Sequence, residues 1–175
     1  MNSYFKKIMT EKQIERVRTK IARVKRALAA DKKQWGGYYH DGSGIRYMCP
    51  ELYLKIRDFR GALNYFRWFG KNFPDDICYG EFYVEWAITL FKLGRLDEAG
   101  LKVVEGHQCD STVWNKFLGR KLTMEDGTVN AELKAWRAVQ VISYSASDAV
   151  WIDFAAWLEG FLVSEAFLEI NKVNK

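Results

Sequence analysis

The sequence predicts an all-α protein of stacked antiparallel helical hairpins, preceded by a basic helix and closed by a C-terminal capping hairpin. Three observations carry that reading. Apolar residues recur at steps of three and four along most of the chain, which is the helical period. Helix-stopping residues sit at the ends of those stretches, with only two prolines among 175 residues. The segments around Ala62 and Ala99 also overlay at a period of 37 residues, and repeats in that range are characteristic of stacked helical pairs.

Thr10 followed by Gln13 has capping-box spacing, in which hydroxyl and amide satisfy each other's orphan backbone donors, so a helix is expected to begin there. Ile14, Val17, Ile21, Val24 and Leu28 then form one narrow apolar stripe, with Arg16, Arg18, Lys20, Arg23, Lys25 and Arg26 on the other sides. Trp35 to Gly44 mixes four glycines with aromatics and has no helical period, which predicts a loop or hinge. Pro50 suits a helical first turn, and Glu51 to Ile56 continues that helix until Arg57-Asp58 breaks it. A helix from about Arg60 to Asn72 has Ala62, Leu63, Phe66, Phe69 and Phe73 at helical spacing and stops at Pro74. Phe82 to Leu93 follows, closed by Gly94 where a left-handed cap is favoured, and Asp97 to Glu105 comes after a short turn. Downstream, a short helix is expected over Ser111 to Leu118, a turn at MEDGT, and helices over Val129 to Ser143 and Asp148 to Asn171. Trp136, Val139, Ile142, Trp151, Phe154, Leu158, Phe161, Leu162 and Leu168 would be the apolar seam of this last pair. Ser145, Ser147 and Asp148 are its cap candidates.

Shifting Ala62 onto Ala99 also brings Tyr53 onto Leu90, Phe59 onto Leu96 and Phe66 onto Val103. The stretch WAITLFKLGRLDEAGLKV resembles a tetratricopeptide repeat: Leu93-Gly94 closes one helix, and an acidic pair with Ala99 opens the next. In the first unit Ala62, Phe66 and Pro74 fall at that family's spacing for its small residue, aromatic and terminal proline. The resemblance runs from Tyr47 to about Glu105. It departs from the pattern at Arg57, which stands where the inter-helix glycine belongs, at Pro50 inside the first helix, and in a period longer than the usual ~34 residues.

Composition narrows the function. With 49% hydrophobic and 15% aromatic residues, the chain is expected to form one domain over residues 1–175, burying roughly 70% of its unfolded surface. Its segments are the basic helix 1–33, the loop 34–45, two hairpins over 46–108, and capping helices over 109–175. Residues 1 to 33 hold eleven Lys or Arg against three acids, so the net charge of +5 belongs to one segment. Cys49, Cys78 and Cys109 match neither a disulfide framework nor a paired zinc motif, and they read as reduced thiols of a cytoplasmic protein. The N-terminus holds no apolar run of signal-peptide length, and AVWIDFAAWLEGFLV is too short and too acidic to span a bilayer. No membrane partner is expected.

Neither catalytic residues nor a cofactor site emerge. His107-x-Cys109 has no CxxC or HExxH beside it, His40 lies alone in the loop, and no metal site is expected. Asp41-Gly-Ser-Gly lacks the Gly-Lys-Ser/Thr of a phosphate cradle, and Ser43 is not in GxSxG. The helical carboxylates read as solvated faces, and the tryptophans mostly as core. An enzyme is therefore not expected.

What the resemblance implies is a non-enzymatic adaptor that holds a peptide or helix of another protein in its concave face. By position that face would present Tyr47, Glu51 and Lys55 from the first hairpin, and Glu81, Val84, Ile88, Phe91 and Lys92 from the second. For the basic helix, packing back on the stack is the first expectation, since fewer than three heptads are present, and pairing with a second copy the next. An alternative function is nucleic-acid binding through Arg16, Lys20, Arg23 and Arg26, although aromatics are not interleaved with them in sequence. Another is an antitoxin or immunity-type inhibitor, which no particular residue favours.

Overall fold

The computed structural model describes residues 9–76, 79–120 and 144–173, and among them every regular element is helical. The expected helix Val129–Ser143 with Trp136, Val139 and Ile142, the MEDGT turn, and Cys78 lie outside the described residues. Between the two hairpins the described residues divide into two compact units, one within Ile8–Asp76 and one after it.

In the first unit, Thr10 caps α1 (Glu11–Gln34) as its sequence predicts. The Gln13 N–H donates to the Thr10 hydroxyl at 3.3 Å, and the Thr10 N–H donates to the Gln13 side chain at 2.8 Å. Val17, Ile21, Val24 and Leu28 are buried, while Ile14, nearest the helix start, is only half-buried. The stripe packs within its own unit, against α2 (Cys49–Lys55) and the 3-10 turn Ile45–Tyr47. The loop between them is pinned to α1 by Asp31, whose carboxylate accepts the N–H groups of His40 at 2.8 Å and Asp41 at 3.1 Å. Asp41 in turn accepts the N–H groups of Ile45 and Arg46, each at 3.0 Å, and so starts the 3-10 turn.

The period of 37 residues is a structural repeat. Helix α2 and helix α4 (Gly80–Lys92) end in the same turn, and α3 (Phe59–Asn72) and α5 (Leu96–Cys109), 14 residues each, leave it. The Arg57 N–H bonds the Leu54 carbonyl at 3.0 Å and the Asp58 N–H the Tyr53 carbonyl at 3.0 Å. The corresponding bonds are Gly94 to Phe91 at 2.9 Å and Arg95 to Leu90 at 3.0 Å. Both are Schellman turns, which need a left-handed residue one place past the cap. Gly94 takes it with φ 73°, and Arg57, despite its side chain, takes it with φ 57°. Ala62 and Ala99 are both fully buried, as are Phe66 and Val103, so each hairpin closes on its small residue. The overlay fails at one pair, Phe59 with Leu96, because Leu96 is exposed.

In the second unit α4 is buried nearly all round, because its apolar residues encircle it. Helix α5 crosses it at Gly106, where a Cβ would stand 2.8 Å from the Tyr83 Cβ and 2.9 Å from the Trp114 ring. Trp114 lies in α6 (Thr112–Phe117), fully buried, and its indole N–H donates to the Val103 carbonyl at 3.1 Å. The expected helix Asp148–Asn171 is two helices, α7 (Ile152–Leu162) and α8 (Glu165–Val173). Ser164 separates them: its hydroxyl donates to the Phe161 carbonyl at 2.7 Å and accepts the Phe167 N–H at 3.3 Å, offering the backbone an alternative to helix continuation. Asp148 caps a turn rather than a helix, accepting the Ser145 N–H at 2.9 Å.

Candidate functional site

The residues expected on a concave face have different fates. On α4, Val84 and Ile88 have no exposed surface. Phe91 packs edge-on to Phe154 at 5.4 Å and tilted against Trp157 at 5.2 Å, both from α7. Lys92 grips the Asp153 carboxylate of α7 at 2.6 Å. Burial works to raise Asp153, but the hydrogen bond from Lys92 and backbone N–H groups hold its carboxyl below the usual range. Helix α7 thus occupies the stretch of α4 that carries Phe91 and Lys92. Glu81, at the start of α4, stays half-exposed.

In the first unit Tyr47, Glu51 and Lys55 remain partly accessible. Glu51 and Lys55 form an i,i+4 ion pair at 2.8 Å on α2. Tyr47 belongs to a polar knot: its hydroxyl donates to Asp76 at 2.5 Å, and Arg46 bridges Asp76 at 2.7 Å and Asp41 at 2.9 Å. Burial and the bond to Asp76 push the Tyr47 phenol above its ordinary value. The Tyr65 hydroxyl donates to the Arg46 carbonyl at 2.7 Å, tying α3 to the same knot. Cys49 sits beneath it, fully buried, and burial pushes its thiol up to about 11.

A second feature of this unit has no counterpart in the expected face. Lys25, Leu28 and Ala29 of α1, Tyr39 of the loop, and Asn64, Tyr65 and Trp68 of α3 line a cleft of about 280 Å³. Its Tyr39 and Trp68 rings meet edge to face at 5.5 Å, and Trp68 leans on Tyr65 at 5.0 Å. Lys25 lies 5.5 Å and 5.9 Å from the Tyr53 and Tyr65 ring centres, and Lys32 lies 4.9 Å from that of Tyr39.

Positive charge is concentrated in the unit that holds this cleft. Residues 8 to 76 hold 15 Lys and Arg against eight Asp and Glu, a net charge of +7, while the other residues sum to −2. Most of the acids are engaged internally: Asp31 and Asp41 hold the loop, Asp76 holds Arg46, Asp58 caps α3 through the Gly61 N–H, and Glu51 pairs with Lys55. Arg16, Lys20, Arg23 and Arg26 on α1, with Arg60, Arg67 and Lys71 on α3, are exposed and form no ion pair among the described residues.

Sequence periodicity could not disclose the cleft, because its lining comes from three segments. Its one local trace is KKQWGGYY, Lys32 to Tyr39, which sets lysines close to aromatics. Among the described residues no cluster of three His, Cys, Asp or Glu is placed to hold a metal ion, and no helix is long and apolar enough to cross a membrane. Comparison of the chain with protein-family models, curated proteins and solved structures finds no match.

Proposed function

We propose that the chain is a non-enzymatic adaptor in which tetratricopeptide-like hairpins present a surface to a segment of another protein. The observation that carries this reading is the duplicated hairpin, with the same Schellman turn, the same helix length after it and the same buried alanine. Helical repeats build extended recognition surfaces from such units, and an apolar or helical segment laid on them is oriented by rim charges. On the first hairpin the accessible rim is Tyr47, Glu51 and Lys55. The test is to exchange the ion pair, Glu51→Lys with Lys55→Glu, which keeps an i,i+4 pair and reverses its polarity. Partners recovered with wild-type protein by affinity purification are expected to be lost; unchanged recovery overturns the rim assignment.

A second reading, nucleic-acid binding, is favoured by the +7 charge of residues 8 to 76 and by the internal use of most of their acids. Exposed cations on α1 and α3 would neutralise phosphates and release counterions. Affinity falling steeply with salt, and a shallower slope in an Arg23→Gln, Arg26→Gln variant, is the expected result.

A further inference from the structure

We infer that the cleft between α1 and α3 is a stacking slot for an unpaired base of single-stranded nucleic acid, an inference that rests on the nucleic-acid reading above. Three independent features meet there. The first is shape: about 280 Å³ is at the small end of the range for ligand sites and suits one planar ring rather than a cofactor. The second is chemistry. Tyr39 and Trp68 supply π-faces, on which any base stacks, and Asn64 lines the same cleft with an amide that can both donate and accept. The third is charge on both walls. Arg18, Lys25 and Lys32 fall seven residues apart on α1, which places them along one side of the helix at intervals of about 10 Å. Arg60, Arg67 and Lys71 are exposed on α3, on the turns that flank Asn64 and Trp68.

The loop extends this surface. Trp35 is 50% exposed and Tyr38 is 80% exposed, and both lie within six residues of Lys32 and Lys33. Neither ring is needed by the core, and each offers a further face on which a neighbouring base can stack. A strand with one base in the cleft would run its phosphates beside the lysines of α1. A paired base has no entry, since its Watson–Crick partner and the second backbone exceed a cleft of this size. An acidic peptide shares the charge complementarity but brings no ring at each repeat to meet successive aromatics.

The experiment is fluorescence anisotropy of the full chain with labelled homopolymers of about 10 nucleotides, RNA and DNA in separate arms, between about 50 and 200 mM salt. Single strands of either sugar are expected to bind, and a duplex of equal length more weakly. Tyr39→Leu and Trp68→Leu are each expected to weaken binding about five- to a hundredfold with an unchanged salt slope, since a stacked base is worth ~1–3 kcal/mol. Because both rings touch other aromatics, each variant is checked by circular dichroism, and the exposed Lys25→Gln is a second probe, expected to lower the salt slope by about one. Folded stacking variants that bind like wild type overturn the slot, even where α1 charge variants lose affinity; the polyelectrolyte reading then stands without it. No binding by either sugar overturns both. Equal displacement of the strand by a poly-glutamate of similar length also overturns the slot, by making the site a general anion surface.

Discussion

Arg57 and Gly94 hold the same left-handed place in two copies of one turn, so exchanging their chemistries should move stability in opposite directions. A residue with a Cβ in the left-handed region costs about 1–2 kcal/mol relative to glycine, because Cβ crowds the following carbonyl. Glycine in turn raises the entropy of the unfolded chain, which offsets about 0.4–1 kcal/mol. At Gly94 an added Cβ meets nothing within 4 Å, so no packing clash enters, and Gly94→Ala should cost about 1 kcal/mol from backbone conformation alone. Arg57 is exposed and forms no ion pair among the described residues, so Arg57→Gly removes little side-chain energy and should gain about the same amount. Urea unfolding followed by circular dichroism reads both. With a slope of about 1–3 kcal/mol per molar, the midpoint should move about 0.3–1 M down for Gly94→Ala and up for Arg57→Gly, at constant slope. Shifts of the same sign, or none in either variant, would refute the claim that one backbone geometry is built twice.

Two further outcomes follow from the first unit. Arg46→Met leaves the nearly inaccessible Asp41 carboxylate with only its two backbone donors, and about 3 kcal/mol of stability should disappear. A loss below about 1 kcal/mol in thermal unfolding would show that the knot contributes little. Cys49, whose neutral thiol is favoured in the folded state, should resist alkylation at pH 8 until denaturant is added, whereas the half-buried Cys109 reacts sooner; peptide mapping by mass spectrometry separates them. The sign for stability follows from the same shift. With the folded thiol raised to about 11, its contribution is fully present below the unfolded value near 9 and is lost as pH rises toward 11.

Much of the local structure was legible because it depends on neighbours in sequence. The Thr10–Gln13 box, the α1 stripe from Val17 to Leu28, the stop before Pro74 and the Gly94 turn all form between residues at most a few positions apart, and all were expected. The self-similarity about Ala62 and Ala99 was legible too, since both hairpins need a residue without bulk at the same contact. Other features were hidden by competition between local groups. Arg57 takes a conformation usually left to glycine, and Ser164 stops a helix that its apolar period would continue.

The candidate surfaces divide along the same line. A helical face can be drawn from spacing, but whether it meets solvent depends on what lands on it. The family resemblance implied a binding face with Val84, Ile88 and Phe91; two are fully buried, and Phe91 is packed against α7, more than sixty positions away in sequence. Tyr39 and Trp68 are 29 residues apart and meet beside Lys25 only because α1, the pinned loop and α3 converge. By itself the sequence determined the α1 helix with its Thr10 cap and the twofold hairpin with its Gly94 turn, since backbone hydrogen bonds and side-chain period are short-range. Only tertiary structure decided which of those faces are covered and where aromatic rings join the cations, because burial and cleft shape are sums over residues that the chain order keeps apart.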